Sequence, residues 1–250
     1  MRIIVIIPTY NEAENLPKLA AEIFALPLPD INLLVVDDHS PDGTGQIADA
    51  LAVRYEGRIK VLHRAGKLGL RTAYIEGFYK AMADGADAIG QMDADFSHNP
   101  QKLIEMAKAI ETHDVVIGSR YVKGGSLDES WPLWRKMLSA FGNTYARTIL
   151  GIDSIKDMTS GYRMWRRQTL QQMPLNRITS NGYIFLVEMA YIAYVLGFSF
   201  FQVPIHFQER VKGKSKMSLQ IQLEAAVKVW EVRSHFRDLK QLGVAGRSIV

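Results

Sequence analysis

The residues best able to do chemistry stand together in "AIGQMDADFSHNP", residues 88–100. A largely apolar run leads to Gln91 and Met92, then places Asp93 and Asp95 one residue apart, with Ser97 and His98 close behind. Two carboxylates that near repel each other unless water or a cation lies between them. At the end of a strand the chain turns, so both can swing toward one ion. All-oxygen ligation of that kind suits Mg2+ or Mn2+. Mg2+ commonly takes one or two protein carboxylates and completes its shell with substrate phosphates and water. Taken alone, the pattern also reads as two solvated aspartates in a turn, and its place in the chain decides between the two.

A second acidic pair, Asp37 and Asp38, closes another apolar run. A carboxylate there can accept hydrogen bonds from a base or a ribose. Ser40, Pro41, Asp42 and Gly43 make a turn and helix start on their own account. The turn is therefore assigned to 40–43 and recognition to Asp38. "HRAGKLGLRTAY" (63–74) contains Gly66 and Gly69 but not the spacing of a P-loop or a dinucleotide fingerprint. A diphosphate would then be held by metal and basic side chains, with Arg120, Arg135, Arg163, Arg210 and Lys216 as candidates. Arg120 stands beside a strand end and Arg210 in a loop able to fold over a cleft. His98, just ahead of Pro100, is read as a helix-start residue. No H-E-x-x-H or G-x-S-x-G pattern occurs.

The elements that must position these groups alternate β and α. Strand-length apolar runs occur at Ile3–Ile7, Ile31–Val36, Ile59–Leu62, Ala88–Met92 and Val115–Ile117, with helical patterns near 13–25, 44–55, 70–84 and 100–111. The alternation predicts βαβ units and a mainly parallel sheet covered by helices on both faces. Right-handed crossovers put every strand's carboxyl end on one edge, where open α/β sheets bind ligands. "PTYNEAEN" (8–15), "DDHSPDGT" (37–44), "DADFSHNP" (93–100) and "GSRY" (118–121) all fall there. Beyond residue 121 the spacing predicts a helix over 131–151, a turn and short strand over 157–167, and a buried helix over about 183–196. A strand follows over 198–204, then a basic glycine-containing loop over 208–218, a terminal helix over about 219–238 and a frayed tail.

The chain has 250 residues, 48% hydrophobic and 22% charged, which fits one folded domain with a substantial core. A net charge of +4 is too mild to argue for nucleic acid, and no cysteine means no disulfide and no thiolate chemistry. Only "GYIFLVEMAYIAYVLGFSFFQV" (182–203) approaches a membrane-spanning length, and Glu188 and Gly197 interrupt it.

Taken in order, "IPTYNEAENLP", "VVDDHSPDGT", "GLRTAYIEGF", "MDADFSHNP", "GSRY", "TSGYR", "SNGYIFLVEM" and "QERVKGKSKM" resemble the polyprenyl-phosphate mannosyltransferases. These are the dolichol-phosphate mannose synthase group within glycosyltransferase family 2. The likeness runs over about residues 2–235. It implies a GT-A type α/β fold, Rossmann-like, in a single domain: a catalytic unit over 1–238, with its nucleotide part at about 1–120 and its acceptor part at about 121–238, then a tail at 239–250. It also implies an inverting, metal-dependent glycosyltransferase that uses Mg2+ or Mn2+ to move mannose from GDP-mannose onto a polyprenyl or dolichyl phosphate lipid. By motif match, Pro8, Tyr10, Glu12, Val36 and Asp38 would hold guanosine. Asp93, Ala94 and Asp95 would stand at metal and diphosphate, with Ser97 beside them as a further metal candidate. Arg120, Arg210 and Lys216 match positions that contact donor or phosphates. Arg135 and Ser139 match positions that hold the acceptor phosphate, with Arg120 shared between the two sides and Asp95, Arg120 and Arg135 as the catalytic set.

Phosphate chemistry fits that acceptor independently. A sugar hydroxyl needs a positioned base, whereas a phosphate monoester, with a second pKa of about 6, is already largely a dianion at pH 7. In related transferases with hydroxyl acceptors an acidic pair commonly supplies the base near "TSGYR"; here Thr159, Ser160 and Gly161 stand there and Asp157 reads as structural or orienting. Trp131, Leu133, Trp134, Met137, Leu138 and Phe141, with Arg135 and Lys136, suit either an interfacial helix or an amphipathic helix packed on the sheet. The loop 208–218 is expected to close over the donor. Expected partners are the sugar nucleotide, the lipid and a membrane surface met peripherally on its cytoplasmic face, with a membrane-anchoring subunit as a further potential partner and no nucleic acid. Three other readings stand beside this one: transfer of glucose or another sugar from a UDP-sugar, a non-catalytic nucleotide-binding subunit, and a nucleotidyltransferase, which would ordinarily carry a glycine-rich basic loop after the first strand.

Overall fold

The computed structural model describes residues 1–208 and 219–239. Five strands form its parallel frame: β1 (Ile3–Thr9), β2 (Ile31–Asp37), β3 (Ile59–His63), β4 (Ala88–Gln91) and β5 (Val115–Ser119). Helices α1 (Leu16–Phe24), α2 (Thr44–Arg54), α3 (Leu70–Ala83) and α4 (Lys102–Ala109) alternate with them. Beyond lie β6 (Ser126–Leu127), α5 (Leu133–Leu150), β7 (Arg163–Arg166), α6 (Arg167–Gln172), α7 (Gly182–Val195), β8 (Phe200–Pro204), β9 (His206–Phe207) and α8 (Leu219–His235). The main sheet has seven strands in the order β3-β2-β1-β4-β7-β5-β8.

All pairings are parallel except those of β7, which runs antiparallel between β4 and β5. A short strand was expected near 163, but not its insertion into the middle of the sheet. β7 fills the gap between two strands that are consecutive in the parallel series, and Gln91 on β4 binds it through its side chain, accepting the indole N–H of Trp165 at 2.6 Å.

β1 lies at the centre, and its alternate residues feed two cores. Ile4 and Ile6 join the layer containing α3, α5, α7 and α8. Ile3, Val5 and Ile7 join the layer containing α1, α2 and α4. Burial on both faces explains the nearly unbroken aliphatic run. α3 crosses β1 so closely that a Cβ on Gly77 would stand 2.8 Å from Ile6. Pro8, which has no N–H to give, sits two residues beyond the β4 pairing, which ends at Ile6 opposite Gln91.

α7 is buried on nearly all sides. Its one acid is not aimed at lipid: the Glu188 carboxylate accepts the backbone N–H groups of Ser180 at 2.9 Å and Thr179 at 3.4 Å. Among the described residues no helix is long and apolar enough to cross a membrane.

α5 divides along its length. Asn143, Ala146 and Leu150 are buried against the body of the protein. Leu133, Trp134, Met137 and Phe141 are 63–72% exposed. The fully buried residues of the helix thus lie in its second half, while its first half presents bulky apolar groups outward.

Candidate active site

Three loops at the carboxyl edge of the sheet share an unusual backbone feature. Asn11 after β1, His39 after β2 and Phe96 after β4 all have positive φ, between 59° and 63°. Non-glycine residues seldom adopt that conformation, and they persist in it where surrounding contacts hold them, often at functional sites. The contacts are visible here. Asp37 accepts the hydroxyls of Ser40 at 2.6 Å and Thr9 at 3.0 Å, and Ser40 in turn accepts the Asn11 N–H. Asp42 accepts the N–H and hydroxyl of Thr44 together with the N–H of Ala13. These bonds hold its carboxyl below its ordinary pKa although burial opposes them. The turn expected at 40–43 thus also ties the first loop to the second.

Asp38 sits beside this turn with its side chain 10% exposed. It is paired with Arg64, whose Nη1 is 2.5 Å from Oδ1. The partner lies in the segment 63–74 that the sequence reading weighed only for its glycines. The same segment carries Lys67, whose Nζ stands 3.6 Å from the centre of the Tyr10 ring. Tyr10 is exposed, Pro8 and Glu12 are half-buried and Val36 is buried. Glu12 accepts the side-chain N–H of Asn15, and its own N–H binds Thr44.

At the fourth strand end, Asp95 accepts the Ser97 N–H at 3.1 Å, and Ala94 is buried between the two acids. His98 does more than start a helix. Its ring is buried, accepts the Asp93 N–H at 3.1 Å and stacks on Tyr162 at 4.8 Å. It braces the turn that carries both aspartates. The Ser97 hydroxyl is wholly buried and finds no hydrogen-bond partner among the described residues. No group of three His, Cys, Asp or Glu gathers as a metal cage among the described residues. A pair of carboxylates at a strand end fits a hard cation that shares its shell with ligand oxygens.

Arg120 follows β5 and is nearly buried. Its Nε and Nη2 form a two-pronged pair with Asp157 at 2.8 and 2.7 Å, and Nη2 also reaches Thr159 at 2.7 Å. Burial alone would raise the Asp157 pKa, but Arg120 outweighs it and holds the carboxyl below its usual range. Reciprocally, Asp157 more than reverses the effect of burial on Arg120, which is fixed as a cation. Asp157, read from the sequence as structural or orienting, fixes the position of the Arg120 side chain.

Arg163 corrects the sequence reading. It is no diphosphate ligand: the side chain is fully buried and donates to the backbone carbonyls of Ser160, Leu186 and Met158 at 2.7–2.8 Å. Burial lowers its pKa to about 10. It knits β7 to α7 inside the core.

On the far side of the cleft, Arg135 lies 3.6 Å above the Trp131 ring, and Ser139 shares a 2.7 Å hydrogen bond with the Tyr121 hydroxyl. Phe207 of β9 links these groups. Its ring meets Trp131 edge-on at 5.9 Å, His98 at 5.8 Å and the Arg120 guanidinium at 5.3 Å. The sequence reading missed Phe207, because a lone aromatic after a strand gives no local sign of such a position. Arg210, Lys216 and the expected closing loop lie outside the described residues.

Residues 4–173 match the family model described as Glycosyl transferase family 2. This chain belongs to that family. Among curated relatives, the polyprenol monophosphomannose synthase of Mycolicibacterium smegmatis is 45% identical over 93% of this chain and 88% of its own length. The undecaprenyl-phosphate mannosyltransferase of Micrococcus luteus is 44% identical over 96% of this chain and 98% of its own. A dolichol-phosphate mannosyltransferase of Pyrococcus furiosus is 38% identical over 87% of this chain and 59% of its own. Among solved structures, a mannosyltransferase from Pyrobaculum calidifontis in complex with GDP-Man and Mn2+ aligns with a TM-score of 0.61 at 15% identity, covering 96% of this chain and 68% of that one. Glucosyl-3-phosphoglycerate synthase from Mycobacterium tuberculosis, in complex with Mn2+, UDP and glucosyl-3-phosphoglycerate, aligns with a TM-score of 0.61 at 17% identity, over 92% of this chain and 78% of that one. These two likenesses establish the fold, the GT-A type expected from the motifs.

Proposed function

We propose that this protein transfers mannose from GDP-mannose to the phosphate of a polyprenyl or dolichyl lipid, inverting the anomeric centre. One observation carries the acceptor assignment. Asp157, the one acid of "DMTSGYR" (157–163), is committed to Arg120 by two side-chain hydrogen bonds and held as an ionised carboxylate. A group so engaged is a poor general base. The nucleophile then arrives already ionised, which a phosphate monoester does and a sugar hydroxyl does not. The names of the relatives support the same acceptor class and the same sugar.

In this reading the lipid phosphate oxygen attacks the anomeric carbon from the face opposite the diphosphate. A new C–O bond forms as the bond to the β-phosphate breaks, and the electron pair leaves with GDP. Arg120 and Arg135 hold the incoming phosphate in line, with the Ser139 hydroxyl as a further donor. Pro8, Tyr10, Glu12, Val36 and Asp38 hold the guanosine, while Arg210 and Lys216 reach the donor phosphates. Asp93 and Asp95, with Ser97 beside them, would hold Mg2+ or Mn2+. A divalent cation there supplies charge neutralisation for the departing diphosphate. Residues 1–120 serve the nucleotide and 121–238 the acceptor.

The exposed half of α5 meets the membrane surface in this reading. Trp134, Met137 and Phe141 recur at helical spacing, and Trp230 of α8, itself exposed, donates to the Tyr145 hydroxyl at 3.0 Å. Apolar and aromatic groups beside Arg135 and Lys136 suit the headgroup boundary on the cytoplasmic face. The decisive assay measures transfer of labelled mannose from GDP-mannose to a short polyprenyl phosphate, with and without chelator. Turnover that chelator abolishes is expected. Transfer from UDP-glucose in place of GDP-mannose would overturn the donor, and failure of the protein to sediment with lipid vesicles would overturn the membrane face.

A further inference from the structure

The buried ion pair between Arg64 and Asp38 reaches beyond stability. Arg64 is the first residue after β3, and its side chain is 2% exposed. Its Nη1 binds Asp38 Oδ1 at 2.5 Å and approaches the Gly69 carbonyl at 3.4 Å, while Nη2 binds the Thr72 hydroxyl. Glu76 stands 3.4 Å from its Nε. The guanidinium is thus held at the start of α3 by Gly69 and Thr72, with Glu76 at ion-pair distance but no hydrogen bond to Nε. The second Asp38 oxygen, Oδ2, accepts the Gly69 N–H at 3.3 Å. Gly69 has φ of 92°, where a residue with a Cβ would be strained, so the donor position itself requires glycine. Each carboxylate oxygen holds one donor from this loop. An ionised carboxylate has about four lone-pair sites, so one on each oxygen stays available.

We infer that Arg64 is the positioning residue that sets base selectivity: it locks the Asp38 carboxylate so that both oxygens together accept two adjacent N–H donors of a nucleobase edge. This rests on the reading above that Asp38 faces the nucleoside. Guanine presents such an edge in N1–H and the 2-amino group. Hypoxanthine keeps N1–H and lacks the amino group. Uracil offers a single N–H flanked by two carbonyl oxygens, which a fixed carboxylate repels. A freely rotating carboxylate could turn one oxygen to a single donor and would lose this discrimination. Site selectivity built on paired buried polar groups is steep because the wrong ligand leaves one of them unmatched.

The test measures dissociation constants for GDP, IDP and UDP with purified full-length protein, by calorimetry, for wild type, Arg64→Lys, Arg64→Gln and Thr72→Val. Wild type is expected to prefer GDP over IDP on the order of tenfold, the worth of one charge-assisted hydrogen bond. Arg64→Gln should bring that ratio close to one. Arg64→Lys, which keeps the charge but loses the fork, and Thr72→Val, which loosens the guanidinium from a half-buried position, should fall between. A ratio is unaffected by the fraction of protein folded, and Thr72→Val removes no buried charge, so loss of folding in one variant does not excuse the outcome. Wild type that binds GDP and IDP equally, or UDP more tightly than GDP, overturns the nucleoside assignment of Asp38. Wild type that discriminates, with Thr72→Val and whichever Arg64 variants fold discriminating equally well, overturns the role of Arg64 alone.

Discussion

The two ends of the cleft are built from opposite materials. At the ends of β2 and β4 stand four aspartates, Asp37, Asp38, Asp93 and Asp95, in turns held by side-chain-to-backbone bonds. At the ends of β5 and β9 and the start of α5 stand two arginines set against rings: Arg120 near Phe207 and Arg135 on Trp131. Carboxylates suit a cation and the N–H edge of a base. Arginines suit phosphate oxygens, because the planar guanidinium stacks on a ring and donates to oxygens at its edge. The boundary between the two ends is itself a packed contact, since His98, which braces the aspartate turn, meets Phe207 edge-on. In the proposed reading, one sheet edge hosts a site for a charged leaving group and a separate site for a charged nucleophile. The separation is what allows lesions at the two ends to differ in kind.

The largest effect is expected from the acidic end. Asp95→Ala removes one of the two carboxylates proposed for the cation. Loss of several kcal/mol of charge stabilisation in the transition state lowers transfer by at least about a thousandfold. The melting temperature should stay near that of wild type, because the group, although buried, sits in the turn after β4 and belongs to neither apolar core. Turnover within tenfold of wild type would break the assignment of the acidic end to the metal.

The next largest effect is on stability and comes from the support of the cationic end. Asp157→Asn leaves Arg120 buried without its carboxylate, a change that typically costs about 3–5 kcal/mol. The pH dependence has a definite sign. The folded pKa of Asp157 is lowered, so its stabilisation is fully present above the unfolded value of about 4 and is lost as pH falls through the lower folded value. Acid unfolding of wild type should therefore have a steeper limb below about pH 4 than that of Asp157→Asn, with the pair contributing no slope between pH 5 and 8. Denaturant melts of both proteins across that range would measure it. Parallel limbs would mean that Asp157 supports Arg120 far less than its geometry implies.

The same division marks how much was legible in the sequence. The acidic end was readable because its causes are local. Aliphatic runs such as "IIVIIPT" and "INLLVVD" are buried on both faces and end in turn residues, and the aspartates follow directly. The cationic end depends on contacts between distant residues. Arg120 meets Asp157 across 37 positions, and even at the acidic end the partner of Asp38, Arg64, lies 26 positions away and gave no local sign. Arg163 and Arg120 look alike as sequence, each an arginine at or just beyond the end of a short strand. One is spent on three backbone carbonyls inside the core and the other on a carboxylate at the cleft. "RMWR" gives no period that would place β7 between β4 and β5, because antiparallel pairing with two distant strands leaves no local trace.

The smallest expected effect sharpens the comparison most. Arg135→Ala removes a cation whose charge lies over Trp131, on the exposed half of α5, so neither core should be disturbed. If the cationic end serves the acceptor, the Michaelis constant for polyprenyl phosphate should rise about 10- to 100-fold, the worth of one charge-assisted contact. The constant for GDP-mannose should change less than about twofold, because the aspartate loops that hold the nucleotide in the proposed reading are untouched. Initial rates with each substrate varied at saturating levels of the other separate the two constants. Equal losses in both would mean that Arg135 reaches the donor diphosphate as well. The cleft would then be a single shared phosphate site, and the contrast between its two ends would be one of composition without a division of labour.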